Sequence, residues 1–175
     1  MHINCRSLNK NFKSLCNLLA RCSGTLTAVG VTETWLSPNF EDNFCIDRYK
    51  FVSKSRTNKL GGGVGLFIDN QFDFHVRNDL TFMKDFLECI FVEISQQNTS
   101  DVIIGCIYRP PNTDVSLFNS DLLVILNILN KYNKMPVFIM GDFNLDLLHS
   151  DSHAPTGAFL STFSSYSFLP TSLSN

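Results

Sequence analysis

Apolar positions along the chain switch between two spacings, and the switches mark its elements. Phe12, Leu15, Leu18 and Leu19 recur three and four positions apart, predicting an amphipathic helix capped by Asn9 or Asn11. After Gly24 the pattern shortens. LTAVGVTETWL is an apolar run with a polar tip, a strand that leaves Thr32 and Glu33 at its carboxyl end. KLGGGVGLFI reads as a glycine-rich turn entering a strand of about five residues. LECIFVEIS alternates as a half-buried strand does. SDVIIGCIYRPP is almost continuously apolar, the pattern of a strand covered on both faces, and Pro110 and Pro111 end it. Leu117, Leu122, Leu126 and Leu129 then form a helical stripe with Ser116 as cap. PVFIMGDFN is a further strand, expected to be buried, and APTGAFLSTFSSY a last helix with Phe159, Leu160 and Phe163 on one face.

Helices on the outside of sheets are the packing this order favours, an α/β or α+β layered sandwich. Composition agrees. Of 175 residues 44% are hydrophobic and 16 are Phe, too aromatic for a disordered chain and suited to packed layers. A net charge of −2 excludes a global basic field, so a phosphate-bearing partner has to be held by local groups. The six cysteines match no zinc spacing, and Cys89 and Cys106 sit within apolar runs as small hydrophobes. There is no signal-peptide pattern and no apolar run approaching the roughly 20 residues of a membrane helix. These features point to an intracellular protein, nuclear or cytoplasmic, with reduced thiols.

Candidate chemistry gathers where apolar runs stop: Glu33 in VTETWL, Tyr108 and Arg109 in CIYRPP, Asp142 and Asn144 in MGDFN. Strand ends fix the backbone while staying open to solvent, which is why sites collect there. A carboxylate such as Glu33 suits Mg²⁺, Asp142 can orient or deprotonate an attacking water, and an amide such as Asn144 can donate to a phosphoryl oxygen. Together these types support metal-assisted cleavage of a phosphate ester.

GDFN and ETWL after apolar strands, the YRPP strand end and N-C-R-S-L near the start together resemble the endonuclease/exonuclease/phosphatase superfamily. More narrowly they resemble the endonuclease domain of LINE-type (non-LTR) retrotransposon proteins, from residue 2 to the end. The resemblance implies a deoxyribonuclease-I-like, four-layered α/β/β/α sandwich, Mg²⁺ (or Mn²⁺) as cofactor, and DNA as partner. It assigns Asn4 to the catalytic centre, Glu33 to the metal, Tyr108 to the scissile phosphate, Asp142 to the nucleophilic water and Asn144 to the phosphoryl transition state. A reverse-transcriptase region is expected in the parent protein, primed by the 3′ hydroxyl that a nick creates. Arg6 stands where repair relatives carry an aspartate, which favours the retrotransposon branch.

The resemblance also implies a late strand with an aspartate and a Ser-Asp-His motif that this chain does not reach. The domain, residues 1–175, is therefore expected to lack its C-terminal strands, to be weakened in activity and stability, and to be a fragment of a longer parent. Two alternatives stand beside the nuclease: a catalytically inactive remnant, and a phosphoesterase of the same superfamily acting on another substrate.

Other residues have plainer readings. HSDSHAP supplies a helix cap from Ser150, Asp151 or Ser152, and GGGVG is a tight turn rather than a phosphate loop. Arg109 either contacts a phosphate or pairs with a carboxylate; Asp146 either supports the site or caps the next segment. Trp35 is read as packing before substrate stacking, KSRTNK as a solvated loop before a DNA contact, and His2 and His75 as structural or exposed.

Overall fold

The computed structural model describes residues 1–22, 24, 26–38, 44–57, 61–96, 99–132, 134–147, 150 and 152–171. Two parallel strand pairs, each joined through a helix, organise it. Strands β1 (His2–Asn4) and β2 (Ala28–Thr32) are linked through α1 (Leu8–Arg21). Strands β8 (Val102–Tyr108) and β9 (Val137–Asp142) are linked through α2 (Val115–Leu129). A parallel pair requires such a crossover, and the crossover helix has to cover a face of the sheet.

Antiparallel strands complete each sheet. β4 (Val64–Asp69) and β3 (Tyr49–Lys54) extend the first in the order β1-β2-β4-β3. The second runs β5-β7-β8-β9, with β5 at Phe74–Val76, β7 at Glu88–Ile94, and the short β6 (Phe82–Met83) also pairing with β7. The sheets pack face to face through Ala28, Val64, Leu66 and Ile68 on one side and Ile90, Val92, Ile94, Ile104 and Cys106 on the other. Helix α1 covers the outer face of the first sheet through Leu8 and Leu15 against Val29, Val31 and Phe67. On the outer face of the second, α2 and α3 (Ala154–Ser165) pack through Phe118, Leu122, Leu126 and Phe159. The result is the four-layered α/β/β/α sandwich. Among the described residues, no helix is long and apolar enough to cross a membrane.

The aromatic content fills these layers: Phe67, Phe91 and Phe118 are fully buried. Burying one such side chain contributes about 1.5–3 kcal/mol, more than a helix cap at about 1. Layer packing therefore decides where the helices lie, and the expected caps yield to it. Helix α1 begins at Leu8 with Ser7 at its cap position, while Asn11 donates from Nδ2 to the Cys5 and Arg6 carbonyls. Asp114, not Ser116, caps α2 by accepting from the Ser116 and Leu117 amides. At α3 the cap position is His153; Asp151 lies outside the described residues. Leu18 and Leu117 belong to the predicted stripes but are exposed, since each helix buries only the face the sheet can reach.

Two strands differ from expectation. β7 is buried along almost its whole length, because Cys89 and Phe91 face the helices while Ile90 and Val92 face the other sheet. β9, expected to be buried, ends the sheet's strand order among the described residues, and Phe138 on it is 56% exposed.

Close approach inside the second sheet depends on Gly105, which pairs with Phe91 across β7 and β8. A Cβ at Gly105 would stand 2.1 Å from the Phe91 ring. Gly105→Ala is expected to cost about 1–3 kcal/mol in urea unfolding, with a clearly smaller loss in a Phe91→Leu background. Equal losses in the two backgrounds would show that the ring is not what the methyl meets.

Candidate active site

Strand alternation aims the site. On the second sheet the side chains that face the first occupy every other position: Ile90, Val92 and Ile94 on β7, and Ile104, Cys106 and Tyr108 on β8. The same parity puts Glu88 at the start of β7, Tyr108 at the end of β8 and Asp142 at the end of β9 side by side, since the register pairs Glu88 with Tyr108 and Tyr108 with Asp142. On the first sheet the register pairs His2 with Gly30 and Asn4 with Thr32. Gly30 lies beneath Met140 and Cys106, which sets His2, Asn4 and Thr32 on the face toward the second sheet. One end of the inter-sheet space thus receives polar residues from both sheets.

Nδ2 of Asn4 ties them together. It donates to Oε1 of Glu33 and to Oδ2 of Asp142, each at 2.8 Å. Continued alternation would turn Glu33 away from Asn4, but its left-handed backbone (φ 52°) brings the carboxylate back. Among the described residues, the other carboxylate oxygen of Glu33 makes no hydrogen bond. Oδ1 of Asp142 accepts from the Asn144 backbone N–H at 3.0 Å. The Asn144 side chain donates to the Arg109 carbonyl at 2.7 Å and keeps a second amide hydrogen. Burial pushes the Tyr108 phenol well above its ordinary pKa, and the charges of Glu33, Glu88 and Asp142 push the same way against Arg56. His2 is held down to about 4 by burial, and its Nε2 lies 3.1 Å from Thr32 Oγ1. Its imidazole is neutral at physiological pH.

Five predicted residues, Asn4, Glu33, Tyr108, Asp142 and Asn144, therefore share one end of the sandwich. Arg109 is placed otherwise. It is buried, and its guanidinium donates to the Phe143 carbonyl at 2.7 Å, the Thr113 carbonyl at 2.8 Å and the Asn144 carbonyl. With those donors on main-chain carbonyls it clips the segment after β9, the one carrying Asn144, to the loop before α2. Asp146 is exposed. His75 is exposed beside Glu93.

The pattern gave no warning of Glu88 and Arg56. Glu88 is 1% exposed; its Oε2 accepts the Gly63 amide at 2.6 Å and its Oε1 pairs with Arg56. The basic loop is thus anchored at Arg56 rather than solvated there, while Asn58 and Lys59 lie outside the described residues. GGGVG does form a tight turn, with Gly61, Gly62 and Gly63 all at positive φ. Its carbonyls do further work: Gly62 accepts from the Trp35 amide at 2.9 Å and Gly63 from the Thr34 amide at 3.3 Å. Glu88 therefore clamps the turn that holds the tip carrying Glu33. The available signal was an acidic residue opening an otherwise apolar strand.

A two-sheet sandwich with carboxylates and amides gathered at its strand ends is the architecture of deoxyribonuclease-I-like hydrolases. The sequence matches the Endonuclease/Exonuclease/phosphatase family over residues 1–174, and the chain belongs to that family of hydrolytic nucleases and phosphatases. No curated protein matches it. Among solved structures it is similar to the AP endonuclease LMAP from Leishmania major, with 16% identity and a TM-score of 0.65, over 93% of this chain and 65% of that one. It is also similar to D. rerio TDP2 complexed with single strand DNA product, with 15% identity and a TM-score of 0.61, over 97% and 64%. The human Nocturnin catalytic domain with bound sulfate anion gives 16% identity and a TM-score of 0.57, over 87% and 68%. The chain thus spans about two thirds of the length of these structures.

Breaking the buried Glu88–Arg56 pair should leave Arg56 with an uncompensated charge. Glu88→Gln is expected to lose stability toward the lower end of about 3–5 kcal/mol, because Arg56 retains some solvent. Urea midpoints check this, and adding Arg56→Met should recover part of the loss. No recovery in the double variant would contradict the pairing.

Proposed function

We propose that the chain is the DNA-nicking endonuclease domain of a LINE-type retrotransposon protein, hydrolysing a phosphodiester with Mg²⁺ or Mn²⁺. The observation that carries this is the Asn4 amide donating at once to Glu33 and Asp142, from two sheets and 138 positions of chain apart for the second pair. The similar TDP2 structure is a complex with a DNA product, which supports DNA as the substrate class. Tyr-Arg-Pro-Pro and Arg6 support the retrotransposon branch, in which the nick would prime reverse transcription by a reverse-transcriptase region of the parent protein.

The donor set fits a hard divalent cation. Glu33 presents an oxygen with no hydrogen bond among the described residues, and the Asp142 carboxylate, tied to it through the Asn4 amide, adds further hard oxygen nearby. Among the described residues no group of three or more His, Cys, Asp or Glu is close enough to hold an ion. Mg²⁺ needs no such cage, since it keeps several waters and binds through one or two carboxylates. Glu33 would hold it, and the ion would neutralise phosphate charge.

The protein's own residues then divide the work. Asp142, fixed by Asn4 and the Asn144 amide, orients water against phosphorus and takes its proton as the new P–O bond forms. The bond from phosphorus to the 3′ oxygen breaks, that oxygen takes a proton from solvent as Asp142 returns its own to solvent, and a 3′ hydroxyl and a 5′ phosphate remain. Tyr108, whose phenol is protonated at neutral pH, donates to a phosphoryl oxygen, and the second hydrogen on Asn144 does the same.

Supercoiled plasmid with Mg²⁺ tests this. Wild-type protein should convert it to open circles whose ends prime a DNA polymerase directly. Glu33→Ala and Asp142→Ala should each slow nicking by about 10²–10³. If all three proteins nick equally little, the chain is a remnant of the fold and the proposal is lost.

A further inference from the structure

Trp35 stands two positions beyond Glu33, and its neighbours Thr34 and Leu36 are buried while it is 43% exposed. The core does not use it. Its backbone is left-handed (φ 54°), a conformation that bulky residues seldom adopt without compensation, and the Gly62 carbonyl holds its amide there at 2.9 Å. Gly61 runs alongside the indole: a Cβ on it would come within 3.9 Å of Nε1. The segment facing this tip is strained in the same sense, with Arg6 at φ 41° and Ser7 at φ 85°, and the Ser7 amide donates to the Glu33 carbonyl at 2.8 Å. The backbone that carries this indole is thus fixed by main-chain bonds two residues from Glu33, with a glycine turn beside it, and among the described residues Trp35 joins no core cluster.

We propose that Trp35 is a stacking platform for a nucleobase of the bound strand, adjacent to the phosphate held at Glu33 and Asp142. The proposal rests on the nuclease reading above and adds to it a contact with a base rather than with the backbone. Charge makes such a contact useful. The net charge is −2, so no global basic field supplies affinity through counterion release. Stacking needs no charge, accepts any base, and contributes on the order of tenfold in affinity per base. The occupant is therefore an unpaired or extruded nucleobase, with little preference among the four.

The chain's only tryptophan makes the test direct. A dye-labelled single-stranded oligonucleotide is titrated without divalent metal, with binding followed by anisotropy and the protein's own tryptophan emission followed in parallel. Emission should fall in step with binding, and an oligomer of abasic sugar-phosphate units should bind more weakly and leave it unchanged. Trp35→Ala should weaken binding of the base-bearing strand about tenfold, with Trp35→Phe largely restoring it. Emission that stays constant at saturation overturns the proposal, as does equal binding by Trp35→Ala or no binding at all. Glu33-dependent plasmid nicking with constant emission would defeat the platform and leave the nuclease reading standing. Quenching without nicking would do the reverse.

Discussion

Everything at the strand ends depends on one nitrogen having two hydrogens. Nδ2 of Asn4 spends one on Glu33, at the tip of the first sheet, and one on Asp142, at the end of the second. Hydrogen bonds to charged groups contribute about 1.5–3 kcal/mol each, enough to offset much of the repulsion between two carboxylates brought to one donor. Asparagine does this at short reach and without adding a charge, where glutamine would set its amide one methylene further out. An aspartate would add a third negative charge, and a serine has one hydrogen and too little reach. The bond is also a link between sheets, so the spacing of the two layers and the spacing of the two carboxylates are one quantity. Gly30 sitting beneath Met140 and Cys106 keeps that spacing small.

The core was readable in the sequence because its physics is local and repetitive. The long strands, the three helices and their apolar faces follow from period two and period 3.6, and the helix α2 stripe held at Leu122, Leu126 and Leu129. What failed to read were features decided by a partner far along the chain. Asn11 looks like a cap until the Cys5 and Arg6 carbonyls are found beside it. Strand β3 and the short strands β5 and β6 exist through pairing with β4 and β7 and carry little pattern of their own.

The gathering of the candidate residues at one end of the sandwich was readable for a different reason. Glu33, Tyr108 and Asp142 are polar residues at the first position after, or the last position of, an apolar run, and a strand's end is visible without knowing its neighbours. Glu88 shows the limit of that rule. It opens its strand rather than closing it, yet an antiparallel neighbour brings that opening beside the end of β8. A reader who looks only at strand ends sees half of an antiparallel sheet's contribution.

The clamp at Glu88 also explains how the tip can carry strained residues. Glu33 and Trp35 each hold a left-handed backbone that costs on the order of 1–3 kcal/mol, which the burial of Thr34 and Leu36 between and after them helps to offset. The opposing bonds come from the Gly62 and Gly63 carbonyls, and that turn is fixed in its own right by the buried Glu88 carboxylate. A carboxylate that never meets solvent thus sets the direction of one that does. Burying Glu88 would be unfavourable without Arg56 and the Gly63 amide, so the acid, the arginine and the glycine turn make sense only as a set. Loss of any one would loosen the glycine turn's side of the tip and leave Glu33 held only from the other side, by the Ser7 and Leu8 amides.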